Sequence, residues 1–329
     1  NVAVMGVTPM DEHGYFNMSM SNSHARAVFD VADVIILEVN EKLPFVHGLE
    51  NTIHISEVDM VIEGEHEGLT EFPSIVAGPV EEKIAELIVD RMTDGACIQL
   101  GVGGMPDAIG KLIANSELKN LGIHTELLVN AYLDMYKAGK ITNLNKQGIM
   151  RGKSVFSIAH GTQELFDWVA NNPSMCCAPI NYVNGLDVIG QLDNFVSINS
   201  CIAVDLFGQI SAESAGTRHI SGTGGQLDFL TAGFKNPKAQ SFIALSSTFT
   251  DRKGNLHSNI KPIFTGGDII TDPRSQAYTM VTEYGIENLA GASVWERAEK
   301  LINIAHPEFR EELIKSAKDV NVWRRSNKR

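Results

Sequence analysis

Short apolar runs alternate along the chain with longer stretches in which apolar residues recur every three or four positions. The run VADVIILEV at 31–39 is typical of a buried strand, and EEKIAELIVDRM at 81–92 has the spacing of an amphipathic helix. Further strands are predicted in SVFSIAHG (154–161) and FVSINSCIAVDLFG (195–208), and a helical tail, broken near Pro307, is predicted at 293–319. This alternation of strands and helices predicts an α/β protein.

The stretch DGACIQLGVGGMPDAIGKLI at 94–113 reads as a turn, a strand, a glycine-rich loop and a helix. The segment LGIHTELL at 121–128 is predicted to be the next strand. Neighbouring parallel strands of one βαβ unit place their carboxyl ends at the same edge of the sheet, where ligands bind. We therefore expect Glu126 and the glycine loop to face one crevice, with His124 on the same strand face as Glu126.

Residues alone leave the role of Glu126 open between a solvated strand end, a ribose-binding acid, a metal ligand and a nucleophile. The loop GVGGMPDAIG offers backbone N–H groups at the start of a helix, either as an anion cradle or only as a tight turn. It also resembles G-x-G-x-x-G with an acid about 20 residues on, the pattern of a dinucleotide-binding fold. Pro106 occupies the third glycine position and counts against that interpretation.

A second glycine-rich stretch, ISAESAGTRHISGTGGQLDF at 210–229, contains Glu213 as a rival carboxylate. The segment around Ser214 fails the G-x-S-x-G pattern of a serine hydrolase because residue 212 is alanine. No histidine or cysteine spacing is typical of a metal site, and His124-x-Glu126 supplies only two ligands. The sequence therefore predicts no metal.

Two D-x-x-G turns, Asp11 to Gly14 and Asp205 to Gly208, are each followed by alternating residues that indicate a hairpin arm. Their recurrence suggests two similarly built domains, although chance similarity accounts for it equally well. The glycine- and proline-bearing stretch EGLTEFPSIVAGP at 67–79 is the predicted boundary.

Composition narrows the class of protein further. The 329 residues carry a net charge of −13, which argues against a nucleic-acid partner, and no apolar run is long enough to cross a membrane. The start NVAVMGVTPM resembles a strand already under way rather than a signal peptide, so we expect further sequence upstream. Four cysteines without C-x-x-C spacing, interpreted as small buried hydrophobes, suit a cytoplasmic protein.

Six segments together resemble one known family across essentially the whole chain. They are QLGVGGMPDAIG, LGIHTELL, SINSCIAVDLFGQI, ISGTGGQLDF, MVTEYGIENLAG and ERAEKLINIAHPEFREEL. The chain is identified as resembling the acetyl-CoA hydrolase/transferase family, in particular its 4-hydroxybutyrate and butyrate:acetate CoA-transferases. This resemblance implies two similar open α/β domains with the active site between them. We expect 1–78 to be the remainder of an N-terminally incomplete first domain and 79–329 to be the C-terminal domain that carries the catalytic residue.

The resemblance also implies roles for individual residues. Glu126 is expected to be the nucleophile that forms a covalent glutamyl-CoA thioester, and Glu213 is expected to be structural. The oxyanion hole is expected to use the N–H groups of Val102 and Gly224. The residues expected to bind coenzyme A are Gly101, Val102, Gly103, Gly104, Met105, Asn199, Gly222, Gly224 and Gly225.

The predicted function is therefore transfer of CoA between a short-chain acyl-CoA and a carboxylate such as acetate, butyrate or 4-hydroxybutyrate. Coenzyme A is expected as a substrate, with no tightly bound cofactor, no nucleic acid and no membrane, in a homodimer or homotetramer. An acyl-CoA hydrolase with the same nucleophile is the nearest alternative. An NAD-type dinucleotide-binding domain and a non-catalytic partner-binding protein are more distant ones.

Overall fold

The structure, a computed structural model, describes residues 1–276 and 279–327, without the side chains of residues 234 and 235. It is a mixed α/β protein with several parallel sheets, as the sequence pattern predicts. The chain groups into two compact units. Unit 1 comprises residues 1–75, 94–99 and 113–194, and unit 2 comprises residues 76–93, 100–112 and 195–329.

The strands are numbered in chain order. β1 to β11 are Val2–Val7, Tyr15–Asn17, Val34–Val39, Thr52–His54, Met60–Glu63, Cys97–Leu100, Gly122–Ile123, Leu127–Leu128, Ser154–Phe156, Ile158–Ala159 and Met175–Cys177. β12 to β22 are Phe195–Ser200, Ala203–Asp205, Ile210–Ser211, Ser214–Ala215, Arg218–His219, Gln240–Ala244, Thr248–Thr250, Leu256–Ser258, Ile260–Lys261, Thr279–Thr282 and Gly285–Asn288.

The helices are numbered in the same way. α1 to α5 are Ala25–Phe29, Pro79–Val89, Gly104–Asn115, Asn130–Lys137 and Gln163–Val169. α6 to α10 are Ile180–Val183, Leu186–Ile189, Gln226–Lys235, Val294–Asn303 and Arg310–Asp319. Short 3₁₀ turns lie at Ile55–Glu57 and Pro307–Phe309, and the second interrupts the predicted helical tail at Pro307. Among the described helices, none is long and apolar enough to cross a membrane.

Unit 1 contains a parallel sheet in the order β1-β3-β5, in which Val34 pairs with Val2 and Met60 with Ile36. One face of this sheet packs on a core that includes Val7, Phe16, Leu37 and Ile53. The predicted strand 31–39 begins only at Val34, because the preceding residues form the turn that follows α1.

The division of unit 1 differs from the expected domains 1–78 and 79–329. The segment 113–194 belongs to the same compact unit as the first 75 residues. Isolated bridges join Ser21 to Ile158, Ser23 to Pro179 and Gly48 to Cys177, so backbone hydrogen bonds tie the two segments together. A sequence boundary drawn from glycine and proline content does not detect such returns of the chain.

The predicted single strand at 121–128 is wrong, because the structure divides it. β7 pairs in parallel with β6, whereas β8 pairs in parallel with β10. Residues 124–126 lie between β7 and β8, where the extended chain changes partners. Glu126 therefore precedes a second short strand instead of ending an unbroken one.

Unit 2 is built on the parallel strands β12, β17 and β21, with β22 antiparallel at the edge. Helix α8 directly precedes β17 and packs against both β12 and β17. The core of the unit joins these strands to α9 and α10 through buried residues such as Leu230, Met280, Leu301 and Leu313. The N-terminus of α9 carries a capping box, in which Ser293 N–H donates to Glu296 at 2.7 Å.

The two predicted D-x-x-G turns share one hydrogen-bond pattern. A carboxylate oxygen of Asp11 accepts from the N–H groups of residues 13 and 15, and Asp205 does the same with residues 207 and 209. A third turn of this kind, which the sequence analysis missed, begins at Asp251 and accepts from residues 253 and 255. Both predicted turns are therefore present, but only the turn at Asp205 joins a strand pair, β13 and β14, whereas β2 after the first turn pairs with β4.

Three of the four cysteines are buried as expected, whereas Cys201 is only partly buried. Burial raises the pKa of the Cys97 thiol to about 11. Such a thiol stays protonated at neutral pH, which suits a packing role.

We predict that Gly48→Ala destabilises the chain while Gly68→Ala does not. A Cβ at position 48 would lie 1.9 Å from the carbonyl oxygen of Cys177, and a Cβ at position 68 would meet nothing within 4 Å. Separating the backbone at Gly48 from Cys177 should lower the free energy of unfolding by about 2 kcal/mol. Urea denaturation of both variants checks this, and equal stabilities would contradict the described docking of this loop.

Candidate active site

Glu126 is held by its backbone and leaves its side chain partly exposed. Its carbonyl oxygen accepts hydrogen bonds from the N–H groups of Ser157 and Ile158, both at 3.0 Å. The preceding residue, Thr125, donates its N–H to the Val155 carbonyl at 3.0 Å. Residues 125 and 126, between β7 and β8, are therefore hydrogen-bonded to β9 and to the start of β10. These backbone contacts fix the Cα of Glu126 without using its carboxylate.

The carboxylate of Glu126 has one anchored oxygen. The side-chain amide of Asn184 donates to Oε2 at 2.8 Å, and Asn184 is 8% exposed. Among the described residues, none donates a hydrogen bond to Oε1. The two carboxylate oxygens are therefore distinguished by their surroundings, with Oε1 the one open to a reacting group.

His124 is fully buried on the amino-terminal side of Glu126. Its Nε2 lies 2.7 Å from the carbonyl oxygen of Val183. A carbonyl oxygen only accepts, so Nε2 carries the proton. Burial, aided by the nearby Lys146 ammonium, lowers the pKa of His124 to about 3. The imidazole is therefore neutral at working pH and is a poor general base.

Lys146 is a buried cation that the sequence analysis did not single out. Its Nζ donates to the carbonyl oxygens of Ile123 at 3.0 Å and Lys153 at 2.8 Å. Burial lowers the pKa of Lys146 below the ordinary value of a lysine, because the charged form is disfavoured away from water. The side chain ties the end of β7 to the loop before β9, and nothing in the local sequence NKQG indicates this role.

In unit 2, Gly101 and Asn199 lie together. The N–H of Gly101 donates to the Ile198 carbonyl at 2.8 Å, which places the start of the first glycine loop beside the carboxyl end of β12. A Cβ at position 101 would lie 3.0 Å from the Asn199 side-chain oxygen. Glycine at this position therefore lets the loop approach the buried carboxamide of Asn199 closely.

The rest of the first glycine loop turns into α3. Gly103 has a φ of 114°, a conformation that favours glycine, and α3 begins at Gly104. Met105 is buried, and the side chain of Val102 is 61% exposed. Within the described part of the chain, the N–H of Val102 donates no hydrogen bond. It is a free donor close to the positive end of a helix.

The second glycine loop, residues 221–225, precedes α8. Because α8 packs on the sheet and leads into the amino end of β17, which runs parallel to β12, the N-terminus of α8 lies at the carboxyl edge of these strands, as does the first loop. The N–H of Gly224 also has no acceptor among the described residues. A Cβ at Gly222 would meet nothing within 4 Å, so packing does not require glycine there.

Two buried carboxylates anchor this second loop. Thr223 donates its hydroxyl to Glu213 at 2.9 Å, and Gln226 donates its amide to Asp272 at 2.5 Å. Burial raises the pKa of Asp272 to about 6, and the charge of Glu213 adds to this. Glu213 is 7% exposed, and its contacts are those of a residue that supports the loop. They favour the structural role expected for it.

The geometry thus groups the predicted residues in two sets. Unit 1 holds a partly exposed carboxylate with one oxygen anchored, which is suited to nucleophilic attack. Unit 2 holds Asn199 and both glycine loops at one sheet edge, with free N–H donors suited to an anion or oxyanion. Within the described residues, no cluster of three or more potential metal-ligating side chains occurs.

The chain belongs to the acetyl-CoA hydrolase/transferase family. Residues 1–70 match the N-terminal domain of that family and residues 161–317 match its C-terminal domain. The expected family membership is therefore confirmed, and so is the α/β fold.

Individual relatives are similar over nearly the whole chain. The butyryl-CoA:acetate CoA-transferase of Anaerostipes caccae is 50% identical over 330 residues, which cover 100% of this chain and 74% of the relative. The crystal structure of RipA from Yersinia pestis is 38% identical, with a TM-score of 0.88, and the match covers 98% of this chain and 70% of that one. The 4-hydroxybutyrate CoA-transferase of Porphyromonas gingivalis is 36% identical, with a TM-score of 0.83 and coverage of 97% and 75%.

We predict that His124→Gln weakens the pH dependence of stability below neutrality. An unfolded histidine takes up a proton near its ordinary pKa of 6.5, whereas folded His124 stays neutral down to about pH 3. The unfolded state binds more protons between these values, so the wild type loses stability as the pH falls through this range. Between about pH 7 and pH 5, the wild type should lose about 2 kcal/mol more than the variant.

Urea denaturation at a series of pH values measures these losses. The matched control is His13→Gln, at an exposed histidine in the first D-x-x-G turn. Between about pH 7 and pH 5, the His13→Gln control should lose as much stability as the wild type does. Equal losses in the wild type and in His124→Gln would contradict the neutral, buried state of His124.

Proposed function

We propose that this protein is a CoA-transferase that moves CoA between a short-chain acyl-CoA and a free carboxylate, with Glu126 as the nucleophile. Membership of the acetyl-CoA hydrolase/transferase family and the similarity to butyryl-CoA:acetate and 4-hydroxybutyrate CoA-transferases support this reaction. The observation that carries the assignment of Glu126 is its partly exposed carboxylate, with Oε2 bound to Asn184 and Oε1 open.

In the proposed first step, Oε1 of Glu126 attacks the thioester carbonyl carbon of the acyl-CoA. The C–S bond breaks, and CoA leaves as the thiolate while a mixed anhydride forms on the enzyme. The thiolate then attacks Cδ of Glu126, the anhydride C–O bond breaks, and the acyl group departs as a carboxylate. The product on the enzyme is a glutamyl-CoA thioester.

The acceptor completes the cycle by the same steps in reverse. Its carboxylate oxygen attacks Cδ of the glutamyl-CoA thioester and expels the CoA thiolate, which gives a second mixed anhydride. The thiolate attacks the acceptor's carbonyl carbon, and the new acyl-CoA leaves as the Glu126 carboxylate is restored. No net proton or electron is required.

Each attack places negative charge on an oxygen that needs a preorganised donor. When the thiolate attacks Cδ, that charge develops on Oε2, to which Asn184 already donates at 2.8 Å. For attack at the acyl carbon, we assign the donors to the N–H groups of Val102 and Gly224, which have no acceptor within the described chain. Loss of one such donor typically costs about 3 to 4 kcal/mol of barrier.

Binding of coenzyme A is assigned to the two glycine loops and Asn199. Gly101 to Met105 lead into α3, and Gly222, Gly224 and Gly225 lead into α8. Helix N-termini attract the anionic groups of CoA despite the net charge of −13. The open space at Gly222 supports a ligand contact there, because a glycine that the fold does not need leaves the backbone accessible.

Hydrolysis by the same nucleophile is the second candidate, because the family includes acetyl-CoA hydrolases. The reactions differ only in whether water or a carboxylate accepts the acyl or glutamyl group. The reaction of butyryl-CoA with and without acetate separates them. A transferase releases acetyl-CoA and little free thiol, whereas a hydrolase releases free CoA whether or not acetate is present.

We predict that acyl-CoA alone, followed by borohydride, modifies the peptide that contains Glu126. Borohydride reduces the glutamyl thioester to an alcohol, which mass spectrometry locates. Glu126→Gln should lose this label and essentially all transfer activity, because an amide does not attack a thioester at a comparable rate. Glu117→Gln, at an exposed acid in the same unit, is the control and should keep both.

Circular dichroism and thermal unfolding establish that Glu126→Gln still folds. A label on Glu213, or transfer at the wild-type rate by Glu126→Gln, would overturn the assignment of the nucleophile.

A further inference from the structure

We propose that His124 is a positioning residue that keeps the amide of Asn184 aimed at Glu126 by holding the Val183 carbonyl. This inference rests on the proposed role of Glu126 as the nucleophile. It gives a function to the histidine of the HTE segment, which touches no reacting atom in the mechanism above. The connection runs from Nε2 of His124 through one peptide unit to the side chain that anchors Oε2.

Asn184 lies at the C-terminal end of a very short helix. It is the C-terminal cap of α6, a helix of only four residues, and its own N–H donates to the Ile180 carbonyl at 2.8 Å. A single turn of helix is marginal without external contacts. The last carbonyls of a helix lack partners inside it, and His124 supplies the partner for that of Val183.

The hydrogen bond from His124 is short and shielded. It measures 2.7 Å, and both His124 and Val183 are fully buried. Leaving the buried carbonyl of Val183 without a hydrogen bond would cost free energy. The turn that carries Asn184 is therefore most stable in the arrangement in which His124 donates to that carbonyl. The carbonyl of Val183 and the N–H of Asn184 belong to one planar peptide unit, so fixing the carbonyl fixes the start of the Asn184 side chain.

The backbone around His124 is itself held by hydrogen bonds. Its N–H donates to the Ile98 carbonyl at 3.2 Å, and Lys146 grips the carbonyl of the preceding residue, Ile123, at 3.0 Å. The cation of Lys146 also disfavours a second proton on the imidazole, which keeps the ring in the neutral form with hydrogen on Nε2. The histidine thus links the backbone on one side of Glu126 to the amide on the other.

Two substitutions at position 124 separate positioning from packing. Glutamine carries an amide at about the reach of the imidazole Nε2 and keeps a donor for Val183, whereas leucine fills space without one. The rate of glutamyl-CoA formation in a single turnover should fall on the order of 10-fold to 100-fold in His124→Leu, with the acyl-CoA KM little changed. His124→Gln should recover most of the rate.

The route through Asn184 is tested by combining variants. Asn184→Ala should lose rate by itself, and adding His124→Leu to it should cause little further loss, because both changes remove the same contact. Asn181→Ala, at an exposed position in the same helix, is the control and should keep the wild-type rate. If His124→Leu does not fold, His124→Asn replaces it, since that shorter amide does not reach Val183.

The outcomes separate this inference from the proposed function. If the wild type forms no glutamyl-CoA, the proposed function fails. If the wild type forms it, three results would overturn the inference: an undiminished rate in His124→Leu, equal losses in the leucine and glutamine variants, or fully additive losses in the double variant. Loss in leucine, recovery in glutamine and non-additivity with Asn184→Ala support it.

Discussion

The break in the extended chain at residues 124–126 is the constraint on which the candidate nucleophile depends. β7 pairs with β6, whereas β8 pairs with β10. The chain therefore changes from one strand partner to another within three residues. Hydrogen bonds from Ser157 and Ile158 to the Glu126 carbonyl hold the break closed. The backbone of Glu126 is thus fixed by neighbours that leave its carboxylate available, which is what an enzymatic nucleophile requires.

Two ionisable side chains, those of His124 and Lys146, are buried next to this break, and their burial costs stability. His124 and Lys146 are almost completely removed from water, and burial disfavours the charged form of each. Hydrogen bonds to the carbonyls of Val183, Ile123 and Lys153 offset part of this cost. Replacing buried ionisable groups by apolar residues of similar volume is often neutral or stabilising, so stability alone does not account for His124 and Lys146.

The glycine loops have a local sequence signature, whereas the role expected for Glu126 came from the family resemblance. Gly103 adopts the positive φ that a tight turn before a helix needs, and Pro106 lies in the first turn of α3. The division of LGIHTELL was missed because β7 and β8 share the apolar composition of a single strand. Only the change of partner reveals the break, and partners are a tertiary property.

Asn184 was missed for a related reason. It lies 58 residues beyond Glu126 in the unremarkable segment YVNG, and only the folded chain brings its amide to the carboxylate. The expected boundary at 78/79 differs from the limits of unit 1, because residues 113–194 return to that unit through bridges at Ser21, Ser23 and Gly48. Contacts between distant segments carry no local pattern, so family similarity and structure had to supply them.

The central claim is that the Glu126 carboxylate itself exchanges an oxygen atom with the substrates during turnover. The most direct measurement is mass spectrometry of the Glu126 peptide after the enzyme has turned over acetyl-CoA with acetate labelled in both oxygens by heavy oxygen. Because the bridging oxygen of the anhydride comes from the acceptor and stays with Glu126, the account predicts one heavy oxygen in that side chain. An unlabelled Glu126 peptide after many turnovers, with label in the acyl products, would contradict it.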